Sequence, residues 1–178
     1  MQNEKKKIIV GLDLSLASSG ICIMNGDTGE VIAYDNLPTK EKDFRSDEHR
    51  FYYIANCIVD ICKNYHVTHV AIEDSFNGVN PKVGKKLARL YGAVACMLYE
   101  NGFTLIYSYI PASWRKSVCG AGNKTKEGVY NYVCKNIIDI GIPFDIGINS
   151  IRLFVFATRY GQIRYIYHDI RTGRILGN

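Results

Sequence analysis

Apolar and polar positions alternate between two rhythms along this chain, and the rhythm changes mark its elements. Residues 7–13 (KIIVGLD) are β-branched and apolar almost throughout, which predicts a buried strand. Residues 20–25 read as its hairpin partner, NGDTGE as the turn, and 31–37 as a third strand. The period then lengthens. Phe51, Ile54, Ala55, Ile58 and Ile61 recur at helical spacing over 46–65, with Ser46 as a candidate cap. THVAIED predicts a fourth strand, and a helix over 81–100 carries Val83, Leu87, Leu90, Val94 and Met97 as its apolar stripe. FTLIYSYI reads as a fifth strand. A short segment at 111–119, a glycine-rich turn, and helices over 125–140 and 144–159 follow.

Three strands in hairpin order, followed by helices and strands in alternation, predict an α/β domain with a mixed five-stranded sheet flanked by helices. The 178 residues suit a single domain, with its core over 7–158 and an unassigned basic tail over 161–178. No apolar run reaches membrane-spanning length and no secretory leader pattern is visible, so the expected setting is the cytoplasm. The six cysteines form no CxxC pair and read as reduced packing residues. His66 and His69 have ligand-like spacing but sit just before a strand and form no zinc-knuckle pattern with a cysteine pair, which disfavours a zinc site.

Chemistry concentrates at the strand ends. Asp13 closes the first strand and Glu73 the fourth; were those strands parallel neighbours, both carboxylates would emerge at one sheet edge. Two bare carboxylates there repel, whereas a divalent cation between them keeps both ionised. Without such a neighbourhood, Asp13 is equally readable as a turn cap and Glu73 as a solvated loop residue. Asp145 opens the last expected helix and Asn149 lies one turn on, so both can face the first pair. An oxygen-rich set of this kind suits Mg2+, with Mn2+ able to substitute. Paired metal ions activate water for phosphodiester hydrolysis.

The net charge of +5 permits a polyanionic partner. On the helix after Glu73, Lys82, Lys85, Lys86 and Arg89 fall opposite the apolar stripe, and no acidic residue lies between Val79 and Tyr99 to pair with them along the helix. Phosphate contacts are therefore expected. Arg115, Lys116, Lys124 and Lys126 form a second basic group around glycines that would let backbone amides approach phosphate. Phe76, in the loop after Glu73, is placed to stack on bases or to anchor the loop.

Taken in order, IIVGLDLSLASSG, AIEDSFNGVN, KLARLYGAV, ASWRKSVCGAGNKTKEGV and DIGINSI resemble the RuvC Holliday-junction resolvases of the ribonuclease H-like nuclease superfamily, in particular their shorter phage forms. The resemblance covers about residues 7–158 and implies a ribonuclease H-like fold. It implies that Asp13 and Glu73 are metal ligands, that Lys116 and Lys126 contact the junction near the scissile phosphates, and that Phe76 stacks at the crossover. The implied activity is metal-dependent cutting of four-way DNA by a homodimer. This chain departs from the pattern at Asn149, where the family carries an aspartate. An amide offers a cation one neutral oxygen and no charge, so weaker metal binding and weaker activity are expected, and a chain that binds junctions without cutting them is the rival reading. A ribonuclease H or transposase-type nuclease would share the carboxylates and choose another substrate. A sugar-kinase or actin-like ATPase would share the first hairpin, but needs about twice this length.

Overall fold

The computed structural model describes residues 6–74, 80–123, 125, 127–129 and 131–132. Phe76, Lys124, Lys126, Asp145, Asn149, the helix expected over 144–159 and the tail lie outside the described residues. The described chain runs β1 (Ile8–Asp13), β2 (Ser18–Asn25), β3 (Val31–Pro38), α1 (Asp47–Asn64), β4 (His69–Glu73), α2 (Pro81–Glu100), β5 (Ile106–Tyr109) and α3 (Pro111–Cys119), with a single 3-10 turn at Glu41–Asp43 before α1. The strands form one sheet in the order β3-β2-β1-β4-β5. β1 pairs antiparallel with β2 and parallel with β4, and β5 is parallel to β4. The mixed five-stranded sheet expected from the alternation of periods is thus present.

Strand periodicity decides what each face holds. Ile8, Val10 and Leu12 of β1, Ile21 and Ile23 of β2, and Val70 and Ile72 of β4 join Ile54, Ile58, Leu90, Val94 and Leu98 in one core between sheet and helices. The intervening residues of β1 and β4, including Asp13 and Glu73, belong to the other face. α1 and α2 therefore cover one side of the sheet, and the acids sit on the other.

Local signals fix the helix ends. Ser46 Oγ accepts the His49 N–H (3.2 Å), as expected of a cap before α1. Asn80 Oδ1 accepts the Lys82 N–H (3.0 Å), and Pro81 occupies the first turn of α2, where its missing N–H costs nothing. The helix expected from 125 begins where anticipated: residues 127–129 are helical and Thr125 Oγ1 accepts the Gly128 N–H (3.0 Å).

The α2 stripe differs from expectation. Leu90, Val94 and Leu98 are its buried positions, while Val83 is 41% exposed. The buried positions of α2 begin only at Leu90, so apolar spacing in its first turns does not correspond to full burial. Among the described residues, no helix is long and apolar enough to cross a membrane. The five described cysteines are all free thiols, with Cys22, Cys62 and Cys119 buried.

Candidate active site at the strand carboxyl ends

Glu73 and Asp13 are brought together by register. The β1–β4 ladder pairs Gly11 with Ala71 and Leu12 with Ile72. One further step sets Asp13 beside Glu73, and direct partners in a sheet share a face at a strand spacing of about 4.8 Å. Asp13 also pairs with Gly20, Gly20 with Asn36, and Glu73 with Tyr109. A single row thus crosses the sheet as Asn36, Gly20, Asp13, Glu73 and Tyr109. Gly20 places no side chain beside Asp13. Glu73 is buried (6% exposed), and Asp13 is half-buried.

Two adjacent acids, one of them buried, are costly unless a cation or strong hydrogen bonds balance them. The donor set is all oxygen, which matches a hard divalent ion. Among the described residues, no group of three or more His, Cys, Asp or Glu side chains could hold a metal. The described sheet supplies two candidate ligands, and the other candidates, Asp145 and Asn149, lie outside the described residues. His66 and His69 flank the amino end of β4, at the end of the strand away from Glu73. His69 stacks on Tyr107 and shares a hydrogen bond with Thr68 Oγ1 (2.8 Å), while burial, and then Lys7, lower its pKa.

The serines that follow Asp13 bind their own turn. Ser19 Oγ donates to the Ser15 carbonyl (2.8 Å) and accepts the Ser15 N–H (3.1 Å), and Ser18 N–H donates to Ser15 Oγ (3.4 Å). Small hydroxylated residues are needed here because the turn closes on itself through side chains.

The basic stripe on α2 divides into two pairs. Lys82 and Lys85 are exposed. Lys86 instead meets Asp47 at 3.0 Å, and Arg89 pairs with Glu48 while lying over the Phe51 ring at 5.4 Å. The expectation that ion pairs could not account for the stripe is therefore corrected for Lys86 and Arg89. Their partners lie on the first turn of α1, not along α2. Glu48 is correspondingly held below the usual carboxylate range, by its own backbone N–H, then Ser46, then Arg89.

On α3, Lys116 is exposed, whereas Arg115 is half-buried and lies 5.5 Å over the ring of the buried Trp114. The glycines after α3 have structural duties. Gly120 caps the helix at φ 75°, and a Cβ on Gly122 would sit 2.7 Å from the Ala112 carbonyl oxygen. Close packing of the turn against α3 accounts for Gly122 without a phosphate.

Sequence reasoning missed one buried group that reaches the loop after Asp13. Arg50, on the buried face of α1, is 6% exposed and hydrogen-bonds to Thr39 and to the Leu16 carbonyl in the loop that follows Asp13. The available signal was a lone arginine one residue before Phe51 on an otherwise apolar helix face.

The family model for the crossover junction endodeoxyribonuclease RuvC matches residues 9–146, a span that begins in β1 and takes in every element from there to α3. The chain belongs to the RuvC family. It is 31% identical over 135 residues to the RuvC of Sulfurovum sp., covering 74% of this chain and 81% of that protein. Against the RuvC of Wolinella succinogenes it is 28% identical, with 68% and 74% covered. The fold superposes on Thermus thermophilus RuvC with a TM-score of 0.66 at 17% identity, covering 83% of this chain and 91% of the other. T. thermophilus RuvC in complex with a Holliday junction substrate gives 0.65 at 18% identity, with 85% and 94% covered. The yeast mitochondrial Holliday junction resolvase Ydc2 gives 0.58 at 11% identity, with 87% and 78% covered. The ribonuclease H-like, RuvC-type fold expected from the motifs is thereby established.

Proposed function

We propose that this RuvC-family chain is a structure-selective endodeoxyribonuclease that nicks four-way DNA junctions by Mg2+-dependent phosphodiester hydrolysis, with Mn2+ able to substitute, and that it acts as a homodimer. Membership of a family of crossover junction endodeoxyribonucleases carries the reaction class. The observation that supports the metal chemistry is the side-by-side register of Asp13 and Glu73 at the ends of parallel neighbours, on the face turned away from α1 and α2.

In this reading Asp13 and Glu73 hold the divalent ion, and Asp145 and Asn149 complete its protein ligands. Bound there, the ion would activate a water and stabilise the leaving oxygen of the cleaved phosphodiester. Lys116, Lys124 and Lys126 bind the phosphates next to the cut, with Arg115 supporting α3 through Trp114. Lys82 and Lys85 extend the phosphate track along α2, with Lys86 and Arg89 contributing less because each already faces a carboxylate. Phe76 stacks on bases at the crossover. Such contacts read shape and charge, not base sequence.

Asn149 supports a second reading, junction binding with weak or absent cutting, because a neutral amide stands where the family pattern has a carboxylate. The test compares nicking of a synthetic four-way junction, an RNA–DNA hybrid and a linear duplex in Mg2+ at one salt concentration. Preferential paired nicking of the junction, increased by Asn149→Asp, is expected. Equal cutting of all three substrates would refute junction selectivity. Tight junction binding with no nicking by either protein would favour the binding-only reading. Light scattering of the free protein at twice the monomer mass is expected for the homodimer.

A further inference from the structure

Arg50 is buried, carries a full charge, and has no carboxylate within salt-bridge distance among the described residues. It also lies in the first turn of α1, where the helix dipole disfavours a cation. Such a residue is expensive to keep unless its hydrogen bonds serve something that an apolar side chain could not. Among the described residues its side-chain hydrogen bonds end on two residues, and its guanidinium also lies 6.0 Å from the centroid of the Phe44 ring. Nε donates to Thr39 Oγ1 (2.9 Å), and Nη2 donates to the Thr39 carbonyl (2.9 Å) and the Leu16 carbonyl (2.7 Å). Thr39 Oγ1 also donates to the Leu16 carbonyl, and Thr39 N–H donates to the Ala17 carbonyl (2.9 Å).

Both Leu16 and Ala17 belong to the loop that leaves β1 immediately after Asp13. From inside, that loop is closed by Ser15 and Ser19; from outside, among the described residues, its side-chain hydrogen bonds come from Thr39 and Arg50. The planar guanidinium suits this task because one rigid group reaches three acceptors on two chain segments, whereas an ammonium would gather them around a single atom. Metal ligands must be held to within a fraction of an ångström, and outer groups that fix them tune affinity as strongly as some ligands do.

We infer that Arg50 is a positioning residue for the metal site: together with Thr39 it clamps the loop after β1 and so fixes the pose of the Asp13 carboxylate. The inference rests on the proposed role of Asp13 as a metal ligand, and the experiment separates the two. Mn2+ binding to the full chain is measured by electron paramagnetic resonance for the parent, Asp13→Asn, Arg50→Lys, Thr39→Val and Thr39→Ser. Amide exchange of residues 14–17 and metal-free junction affinity are followed in parallel.

The expected result is a Kd for Mn2+ raised about tenfold in Arg50→Lys, in the range seen for outer-shell changes. Thr39→Val should move in the same direction, and Thr39→Ser, which keeps the hydroxyl, should restore parental affinity. Exchange over 14–17 should accelerate in the weakened variants, with junction affinity unchanged. A merely structural Arg50 would lower melting temperature and leave Mn2+ affinity alone. Parental Mn2+ affinity in both Arg50→Lys and Thr39→Val, with affinity lost in Asp13→Asn, overturns the inference and leaves the metal site standing. Parental affinity in Asp13→Asn overturns the metal reading itself. If Arg50→Lys does not fold, Thr39→Val with its serine rescue decides.

Discussion

Neutralising Asp13 should make the metal-free protein more stable while abolishing its response to metal. If the two carboxylates keep the strand spacing of about 5 Å, an effective dielectric constant of about 20 makes their repulsion about 3 kcal/mol. Asp13 is half-buried, and solvent screening reduces the net cost to about 1 kcal/mol. For a chain of this size that corresponds to a rise of about 2–4 °C in Tm for Asp13→Asn in EDTA. The parent should gain more than this from metal, because an ion at about 100 times its Kd stabilises the folded state by about 2.7 kcal/mol. Thermal scans in EDTA and in a Mg2+ series therefore cross: the variant melts higher without metal and lower with it. Glu73→Gln tests the same pair from the buried side, where the amide must also find new hydrogen bonds, so its gain in EDTA should be smaller. A variant that melts below the parent in EDTA, or that keeps the full metal-dependent shift, would refute mutual repulsion relieved by a shared cation.

Further outcomes follow from the same geometry. Lys82→Ala and Lys85→Ala should each flatten the dependence of junction binding on log salt by about 0.9, the value for one phosphate contact, whereas Lys86→Ala and Arg89→Ala should change it little because Asp47 and Glu48 already face those charges; titrations between low and moderate salt measure the slopes. Gly122→Ala should cost about 1–3 kcal/mol in urea unfolding, since its methyl would press on the Ala112 carbonyl. Burial pushes the thiols of Cys22 and Cys62 from 9.0 to about 12, so the unfolded chain releases these protons first as pH rises. Stability from the two neutral thiols is complete below pH 9 and falls towards pH 12, at about 1.4 kcal/mol per pH unit for each, and urea midpoints for a Cys22→Ala, Cys62→Ala variant should fall less steeply over that window.

Much of this architecture was legible because periodicity carries it. The β1 and β4 runs, the Ser46 cap and the start of α2 at Pro81 are local signals, each readable within a few residues. What escaped depends on contacts between distant segments. Asp47 and Glu48 stand about forty residues before their partners on α2, so a search along one helix could not find them. Gly120 and Gly122 resemble a phosphate-binding turn in sequence, and only the backbone of α3 beside them shows why they are glycines. Val83 continues the apolar stripe in sequence, yet stays exposed at the start of α2. Arg50 was hidden for the opposite reason: it occupies a core position that spacing alone assigns to an apolar residue.

The placement of the acids follows from the order of the strands. From β1 the chain turns to β2 on one side, and from β4 it passes through α2 to β5 on the other. β1 and β4 are adjacent and parallel, so their carboxyl ends lie together while their outgoing connections diverge. Open α/β sheets place their ligands at strand carboxyl ends where neighbouring connections part in this way. Asp13 and Glu73 are the last residues of those two strands, on the face not occupied by α1 and α2. Either acid one position earlier would point into the core among Leu12, Ile72 and the helices, where an unpaired carboxylate is not tolerated. The strand lengths therefore do more than end the sheet. They set the parity that turns both acids to the same side, and a one-residue insertion in β1 before Asp13 should abolish metal binding even if the sheet still forms.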